Sequence, residues 1–440
     1  MSAILDIVDR HRSGIACGIY SLCSAHPLAI RADLLHARRH QADCLLIEAT
    51  CNQVNQEGGY TGMVPTAFRD FVYAIADQVG YPREKIVLGG DHLGPHPWQE
   101  LPAEQAMSRA EELVAGYVRA GFRKIHLDCS MACAGDAAPL DDATIARRSA
   151  RLCGAAERAW RDSGGEAPVY VIGTEVPVPG GATHALTELT VTSAAAARAT
   201  IEAHRAIFVE AGLEDAWTRV IAAVVQPGVE FDHHVVVDYQ PARATELAAV
   251  VAEYPRFVFE AHSTDYQTPD ALARLVQDHF AILKVGPAVT FALREALWAL
   301  DAIEREWIRP EQAGRLREVA LSSMRGDPRH WLRHYPDDPV HRDFNLDYSL
   351  SDRIRYYWTR PDVARAQSQL FANLAKSPPP ASLLSQYFPE LYPSLRDGQI
   401  AAGPEALVTE RIGRVLDGYW TACNAATVAT REATRVAGHA

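Results

Sequence analysis

Short apolar runs recur along the chain at residues 15–20, 44–49, 86–89, 124–128, 169–174, 220–225, 257–261 and 281–285. Each is β-branched or otherwise apolar at most positions, as parallel strands covered on both faces require. Helical spacing fills the intervals, for example over 103–114 and 193–204. At Thr268-Pro269-Asp270 a capping residue precedes proline in the first helical position, which marks a helix start. Eight alternations predict an α/β fold, a (β/α)8 TIM barrel over residues 1–305. A doubly wound sheet competes, but polar residues close nearly every run and no glycine-rich dinucleotide fingerprint follows the first.

The rhythm changes at residue 306. The stretch 306–440 shows no strand pattern and reads as a C-terminal helical extension, with proline-rich turns such as Ser377-Pro-Pro-Pro380. Its aromatic enrichment, from Trp307 to Trp420, predicts either core packed against the barrel or an interface to another chain, so an oligomer is possible. Residues 433–440 are expected to fray.

Composition narrows the function. The 440 residues are 48% hydrophobic and 22% charged with a net charge of −12, enough apolar content for one large core. That charge argues against nucleic acid and anionic membrane as partners, though not against an anionic small molecule. The N-terminus lacks the apolar run of a signal peptide and no stretch is long enough to span a bilayer, so a cytoplasmic location is expected. Eight cysteines are too dilute for a disulfide scaffold and read as buried thiols. Cys129 and Cys133 have no second cysteine pair at zinc spacing.

In a barrel, residues at the carboxyl ends of the strands share one face. In strand order the candidates are Ser24 and His26, then Glu48 with Asn52, Gln53 and Asn55, then Asp91 and His92. Asp128 and Cys129, Glu175, and Gln226 with Asp232, His233 and His234 follow. The last two strands bring His262, Ser263, Asp265 and Lys284. His92, His233 (or His234) and His262, with Glu175 as a possible fourth ligand, could hold a divalent metal, zinc or a similar ion. Such an ion polarises a carbonyl, and Asp91 beside it could shuttle a proton. Ser24, His26, Glu48, Asn52, Asp128, Gln226, Asp265 and Lys284 are candidates for contacts to a sugar or sugar phosphate. Lys284 could form a Schiff base, although a salt bridge to Glu48 or Glu260 is the plainer role. No P-loop or kinase glycine loop occurs, so no nucleotide cofactor is expected.

Longer motifs carry a resemblance. Cys23-Ser-Ala-His26-Pro, Glu48-Ala-Thr-Cys-Asn52-Gln-Val-Asn55, Gly90-Asp-His-Leu-Gly-Pro95 and Gly173-Thr-Glu-Val-Pro177 resemble the GatZ/KbaZ family. So do Val225-Gln-Pro-Gly-Val-Glu-Phe-Asp-His233, Glu260-Ala-His-Ser-Thr-Asp-Tyr-Gln267, Lys284-Val-Gly-Pro287 and Ser351-Asp-Arg-Ile-Arg-Tyr-Tyr-Trp358. The resemblance implies a class II aldolase-type barrel. It also implies a non-catalytic subunit of class II D-tagatose-1,6-bisphosphate aldolase, which supports a catalytic partner chain in galactitol and N-acetylgalactosamine catabolism. An older family label, tagatose-6-phosphate kinase, conflicts with the missing nucleotide motifs.

Class II aldolases place a catalytic aspartate before the first zinc histidine, as Asp91-His92 does, and later zinc histidines where His233 and His262 stand. The resemblance favours His233 over His234, and Glu175 matches by strand an acid near the aldolase metal. It stops at the phosphate. The glycine-serine loop and the Asn-x-Asp-Thr segment that hold phosphate in aldolases are replaced by His262-Ser-Thr-Asp265 and Lys284-Val-Gly-Pro287. The expectation is therefore a supporting subunit with a metal-ready barrel and no evident phosphate clamp. The alternative is a metal-dependent ketose or ketose-phosphate epimerase or aldolase active in its own right, with the metal at His92, His233 and His262 and with Asp91 and Glu175 as proton carriers.

Overall fold

A computed structural model of the chain describes residues 3–173, 189–336 and 338–425; Glu175 and the last eight residues lie outside them. Eight parallel strands close into a barrel: β1 (Ile19–Cys23), β2 (Leu45–Thr50), β3 (Ile86–Leu93), β4 (Lys124–Leu127), β5 (Val169–Gly173), β6 (Val220–Val224), β7 (Val258–Ala261) and β8 (Phe280–Val285). Each strand pairs with its neighbours in sequence and β1 closes on β8, which is the predicted TIM barrel. The helix starts follow their caps: Ser193 accepts from the Ala196 N–H at 3.1 Å and Thr268 from Ala271 at 3.2 Å.

Two strands differ from the sequence reading by more than one residue at a limit. The first strand begins at Ile19 rather than residue 15, because the N-terminal helix Ala3–Arg12 is still unwinding into the loop before it. β3 runs on to Leu93, so Asp91 and His92 belong to the strand and do not follow it.

The barrel interior is layered. At its N-terminal end Ile19, Leu46, Val169, Val171, Val258 and Ile282 form an apolar plug, closed by Ile4 and Val8 of the first helix at i, i+4 spacing. Each such side chain contributes roughly 1.5–3 kcal/mol by leaving water. Above the plug, the register aligns Ser21 with Lys284 and Cys23 with Glu48; Glu48 in turn pairs with Gly89, and Gly89 with Lys124. The interior there is charged. Gly89 has no side chain because the Glu48 carboxylate occupies the space a Cβ would take.

The remaining helices after the barrel do not stand apart. Helix Pro404–Cys423 packs on helices Pro27–His40, Pro269–Gln277 and Pro287–Trp307, and one apolar cluster runs through barrel and extension. His36 lies 3.0 Å from Asp417 across that seam, and Tyr419 donates to the Thr264 carbonyl at 2.7 Å. Of the aromatic residues in the extension, Trp331, Tyr335, Tyr357, Trp358, Phe388 and Tyr419 are buried, whereas Trp307 and Tyr348 are exposed. All eight cysteines are free. No helix among the described residues is long and apolar enough to cross a membrane.

One buried acid is unsatisfied. Asp33, fully buried on helix Pro27–His40, accepts from the Tyr20 hydroxyl at 2.7 Å, and its second oxygen has no hydrogen-bond partner. Burial pushes its carboxyl up to about 7, against the pull of the Tyr20 bond. A carboxyl whose pKa rises on folding binds more protons folded than unfolded. Stability is therefore lost as pH rises from the ordinary carboxylate range through about 7. Asp33→Asn keeps the acceptor and is expected to stabilise the protein by about 1–3 kcal/mol at pH 8, and by less at pH 5. Thermal melts at both pH values check this, and an equal effect at both would refute it.

Candidate metal and active site

Three histidines meet above the charged layer of the barrel. His92 comes from β3, His126 from the middle of β4 and His262 from just beyond β7. Their ring centroids are 5.0 Å (His92–His126), 4.9 Å (His92–His262) and 5.4 Å (His126–His262) apart. All three are buried, and with Asp91 they form a group whose ligand atoms converge. His92 adopts a left-handed φ of 47°, which costs an L residue roughly 1–2 kcal/mol and re-aims its ring inside the barrel.

Each imidazole is anchored through at least one ring nitrogen. His92 Nδ1 lies 2.8 Å from Asp128 Oδ2, and His262 Nε2 lies 2.9 Å from Glu260 Oε1. His126 Nε2 lies 3.1 Å from the Gly173 carbonyl, which can only accept, so that nitrogen carries the proton. In a neutral His126, Nδ1 is then a lone pair that accepts from the His92 N–H at 3.2 Å and lies 3.0 Å from Asp91 Oδ1. Metal-bound histidines are oriented by such outer acceptors, and here all three have one.

Charge points the same way. Around the barrel axis lie the carboxylates of Glu48, Asp91, Asp128 and Glu260 and the ammonium groups of Lys124 and Lys284. Lys124 bridges Glu48 and Glu260 at 2.7 Å each; Lys284 pairs with Glu48 and lies 2.8 Å from Asp91 Oδ2. Four negative groups stand against two lysines, and although burial opposes it, Asp91 and Asp128 raise the pKa of His92 in response. Each uncompensated buried charge costs several kcal/mol. Burial opposes ionisation of Asp91, but His92 and Lys284 hold its carboxyl well below the usual range. Burial likewise opposes protonation of Lys284, and Asp91 and Glu48 outweigh it, so its pKa stands well above that of a free lysine. A lysine held as an ammonium is no Schiff-base nucleophile; the salt bridge to Glu48 is the role it has here. The residues present therefore fit a divalent cation in both donor set and charge.

A cavity of about 420 Å³ opens onto this group. Asn52, Asp91, His92, Asp128, His262, Asp265 and Lys284 line it, together with Cys23, whose thiol lies 3.6 Å from Asp91 Oδ2. Other sequence candidates do local work. Ser24 accepts from the His26 N–H at 3.3 Å and His26 Nδ1 from Leu28 at 3.2 Å, so both organise the start of helix Pro27–His40. Gln226 Oε1 accepts from the Gly228 and Val229 amides and shapes the loop after β6. Asp265 Oδ1 accepts from the amides of Gly286 and Ala288 at 2.9 and 2.8 Å.

The predicted ligand His233 is corrected. It sits in the turn of a small hairpin (Glu230–Phe231 with Val236–Val237), with Nδ1 3.0 Å from Ser349 Oγ and Nε2 2.8 Å from the His334 carbonyl. Both ring nitrogens thus face the C-terminal extension, and His234 is exposed beside Phe344. His126 takes the place assigned to His233. The alternation Lys124-Ile-His126-Leu-Asp128 signals this, since every second residue of a barrel strand points inward.

The D-tagatose-1,6-bisphosphate aldolase subunit GatZ/KbaZ-like family matches residues 4–424 of the chain. A probable tagatose 6-phosphate kinase from Sinorhizobium meliloti 1021 has a similar crystal structure, with 49% identity over 92% of this chain and 100% of that one, at a TM-score of 0.85. Fructose-bisphosphate aldolase from Campylobacter jejuni matches at 13% identity over 84% of this chain and 91% of its own, with a TM-score of 0.45.

Purified protein loaded with zinc or cobalt is expected to retain the ion through dialysis. His126→Ala and His262→Ala should each weaken retention by at least about tenfold, while His233→Ala should not. Metal analysis of the three variants checks this; loss of metal from His233→Ala with retention in His126→Ala would restore the sequence-derived triad.

Proposed function

Because the chain belongs to the GatZ/KbaZ-like family of D-tagatose-1,6-bisphosphate aldolase subunits, we propose that its own barrel mouth carries metal-assisted chemistry on a ketose or ketose phosphate. The supporting observation is the set of three histidines, each anchored by an outer acceptor and each turned toward the same buried, negatively charged point. His92, His126 and His262 would hold the ion, zinc or a similar divalent metal. When bound, such an ion polarises a substrate carbonyl.

The chain's own groups supply the rest. Asp91 lies between the histidines and Lys284, where its carboxylate can accept a proton from a substrate hydroxyl. As that proton arrives, Asp91 loses charge and Lys284 keeps its second partner, Glu48, so the ammonium is never left alone in the interior. Lys124 and Glu260 hold His262 in orientation from below. Asn52 and Asp265 line the cavity at positions suited to sugar hydroxyls. Glu175 is retained as a second candidate proton carrier.

Family membership favours a second role beside the first, that of a subunit which supports a class II aldolase catalytic chain in tagatose catabolism. The two roles separate experimentally. Metal-loaded protein is incubated with tagatose, fructose and their phosphates in deuterated water, and carbon-bound deuterium and cleavage products are measured. The expected result is exchange or cleavage that Asp91→Asn slows by about 10²–10⁴-fold without loss of metal. No exchange or cleavage from fully loaded protein, with stimulation of an aldolase chain that Asp91→Asn leaves intact, would leave only the supporting role.

A further inference from the structure

The cavity above the histidines is roofed by the C-terminal extension, and the roof is cationic. Arg333, His334, Arg353, Arg355 and Tyr356 face the same space as Asp91 and Lys284. The loop that carries them is bolted to the barrel: Tyr266 donates to the Leu350 carbonyl at 2.6 Å, Leu350 N–H to His233 O at 3.0 Å, and Arg294 pairs with Asp352 at 3.2 Å.

Most buried and half-buried arginines of this chain have acidic partners, as Arg294 has Asp352, Arg219 has Glu157 and Arg148 has Asp136, while half-buried Arg12 and Arg123 donate to carbonyls at the barrel's periphery. The roof arginines lack acidic partners. Among the described residues no carboxylate lies within ion-pair distance of Arg333, Arg353 or Arg355. Arg353 is only 7% exposed; one Nη donates to the His330 carbonyl at 2.8 Å, and its buried Nε has no partner. Arg355 donates to the carbonyls of Ser351 and Asp352 and to the Tyr356 hydroxyl. His334 Nδ1 is also buried and unpartnered. Burial and the three guanidinium groups push the His334 imidazole down to about 4, so the ring is neutral and adds no further charge.

An unpaired guanidinium buried to this degree in a chain of net charge −12 calls for an anion. The floor of the barrel cannot hold it. The amides of Gly286 and Ala288, at the end of β8, already donate to Asp265. A planar guanidinium fork suits the oxygens of a phosphate, and three cations suit its double charge.

We infer that Arg353, Arg355 and Arg333 form an oxyanion subsite, built by the C-terminal extension, that takes the phosphate of a phosphorylated sugar whose carbonyl end lies at the histidine group. The inference rests on the reading of the barrel mouth as a ketose site, but it concerns a different wall of the cavity. The clamp that the sequence lacks after β7 and β8 is supplied from the roof.

Calorimetric titration of the full-length, metal-loaded protein with inorganic phosphate, fructose 6-phosphate, fructose and galacturonate tests it. Both phosphates are expected to bind, and Arg353→Met and Arg355→Met each to weaken them at least about tenfold, with metal content and fructose binding unchanged. Arg353→Lys should recover part of the loss. Arg333→Ala, at an exposed position that folding does not depend on, should weaken phosphate in the same sense. Undiminished phosphate binding in all three charge-removing variants, or no phosphate binding by the parent, would overturn the subsite. Galacturonate binding without phosphate binding would overturn the phosphate assignment in favour of a carboxylate. Arginine-dependent phosphate binding by a protein with no sugar chemistry would uphold the subsite while the catalytic reading failed.

Discussion

The buried charge at the centre of the barrel sets the terms for everything around it. Lys124 and Lys284 stitch Glu48, Glu260 and Asp91 into one network across strands β2, β3, β4, β7 and β8. Removing any one member strands its partners in a low-dielectric interior, at a cost of about 3–5 kcal/mol. With Asp128 beside it, bonded to His92, the acids of the barrel centre outnumber the lysines by two. That deficit, placed beneath three anchored imidazoles, is the reason the site reads as a cation site rather than as a structural ion cluster. Gly89 is glycine and Ser21 is small and donates to Glu48 at 2.6 Å, because the carboxylate needs that room and that bond.

The extension completes what the barrel leaves open. Helix Pro404–Cys423 joins the outer helical layer, whereas the stretch around residues 330–357 turns back over the mouth. His233 marks the change of role. A residue that would lie near a barrel metal instead fastens this roof, through Ser349 and the His334 carbonyl. One consequence is a polarity across the cavity, with carboxylates and histidines below and unpaired guanidiniums above. A ligand with a neutral, oxygen-rich end and an anionic end fits that polarity in one orientation only.

Much of this was legible beforehand, and the exceptions have physical causes. The eight strands followed from apolar runs, since parallel barrel strands are buried on both faces and leave continuous hydrophobic sequence. Asp91, His92, His262, Asp265 and Lys284 were found because they sit at or near the carboxyl ends of strands. His126 was missed because it lies inside β4, where a search of strand ends does not look, although the two-residue alternation from Lys124 to Asp128 pointed inward. Ser24, His26 and Gln226 were at the right ends of strands, yet spend their polar atoms on nearby amides, a choice that depends on local backbone geometry.

The linear pattern alone determined the barrel, the helical character of the tail and the supply of metal-competent residues, because strand and helix periodicity are local properties. Which histidines converge was decided only in three dimensions, because inward direction depends on register around a closed barrel. The same holds for the roof: Arg353 and His92 are far apart in sequence, and nothing short of the folded extension brings a cationic wall over a carboxylate floor. Counter-charge is a property of neighbours in space, and so the missing phosphate clamp could be noticed in the sequence but its replacement could not.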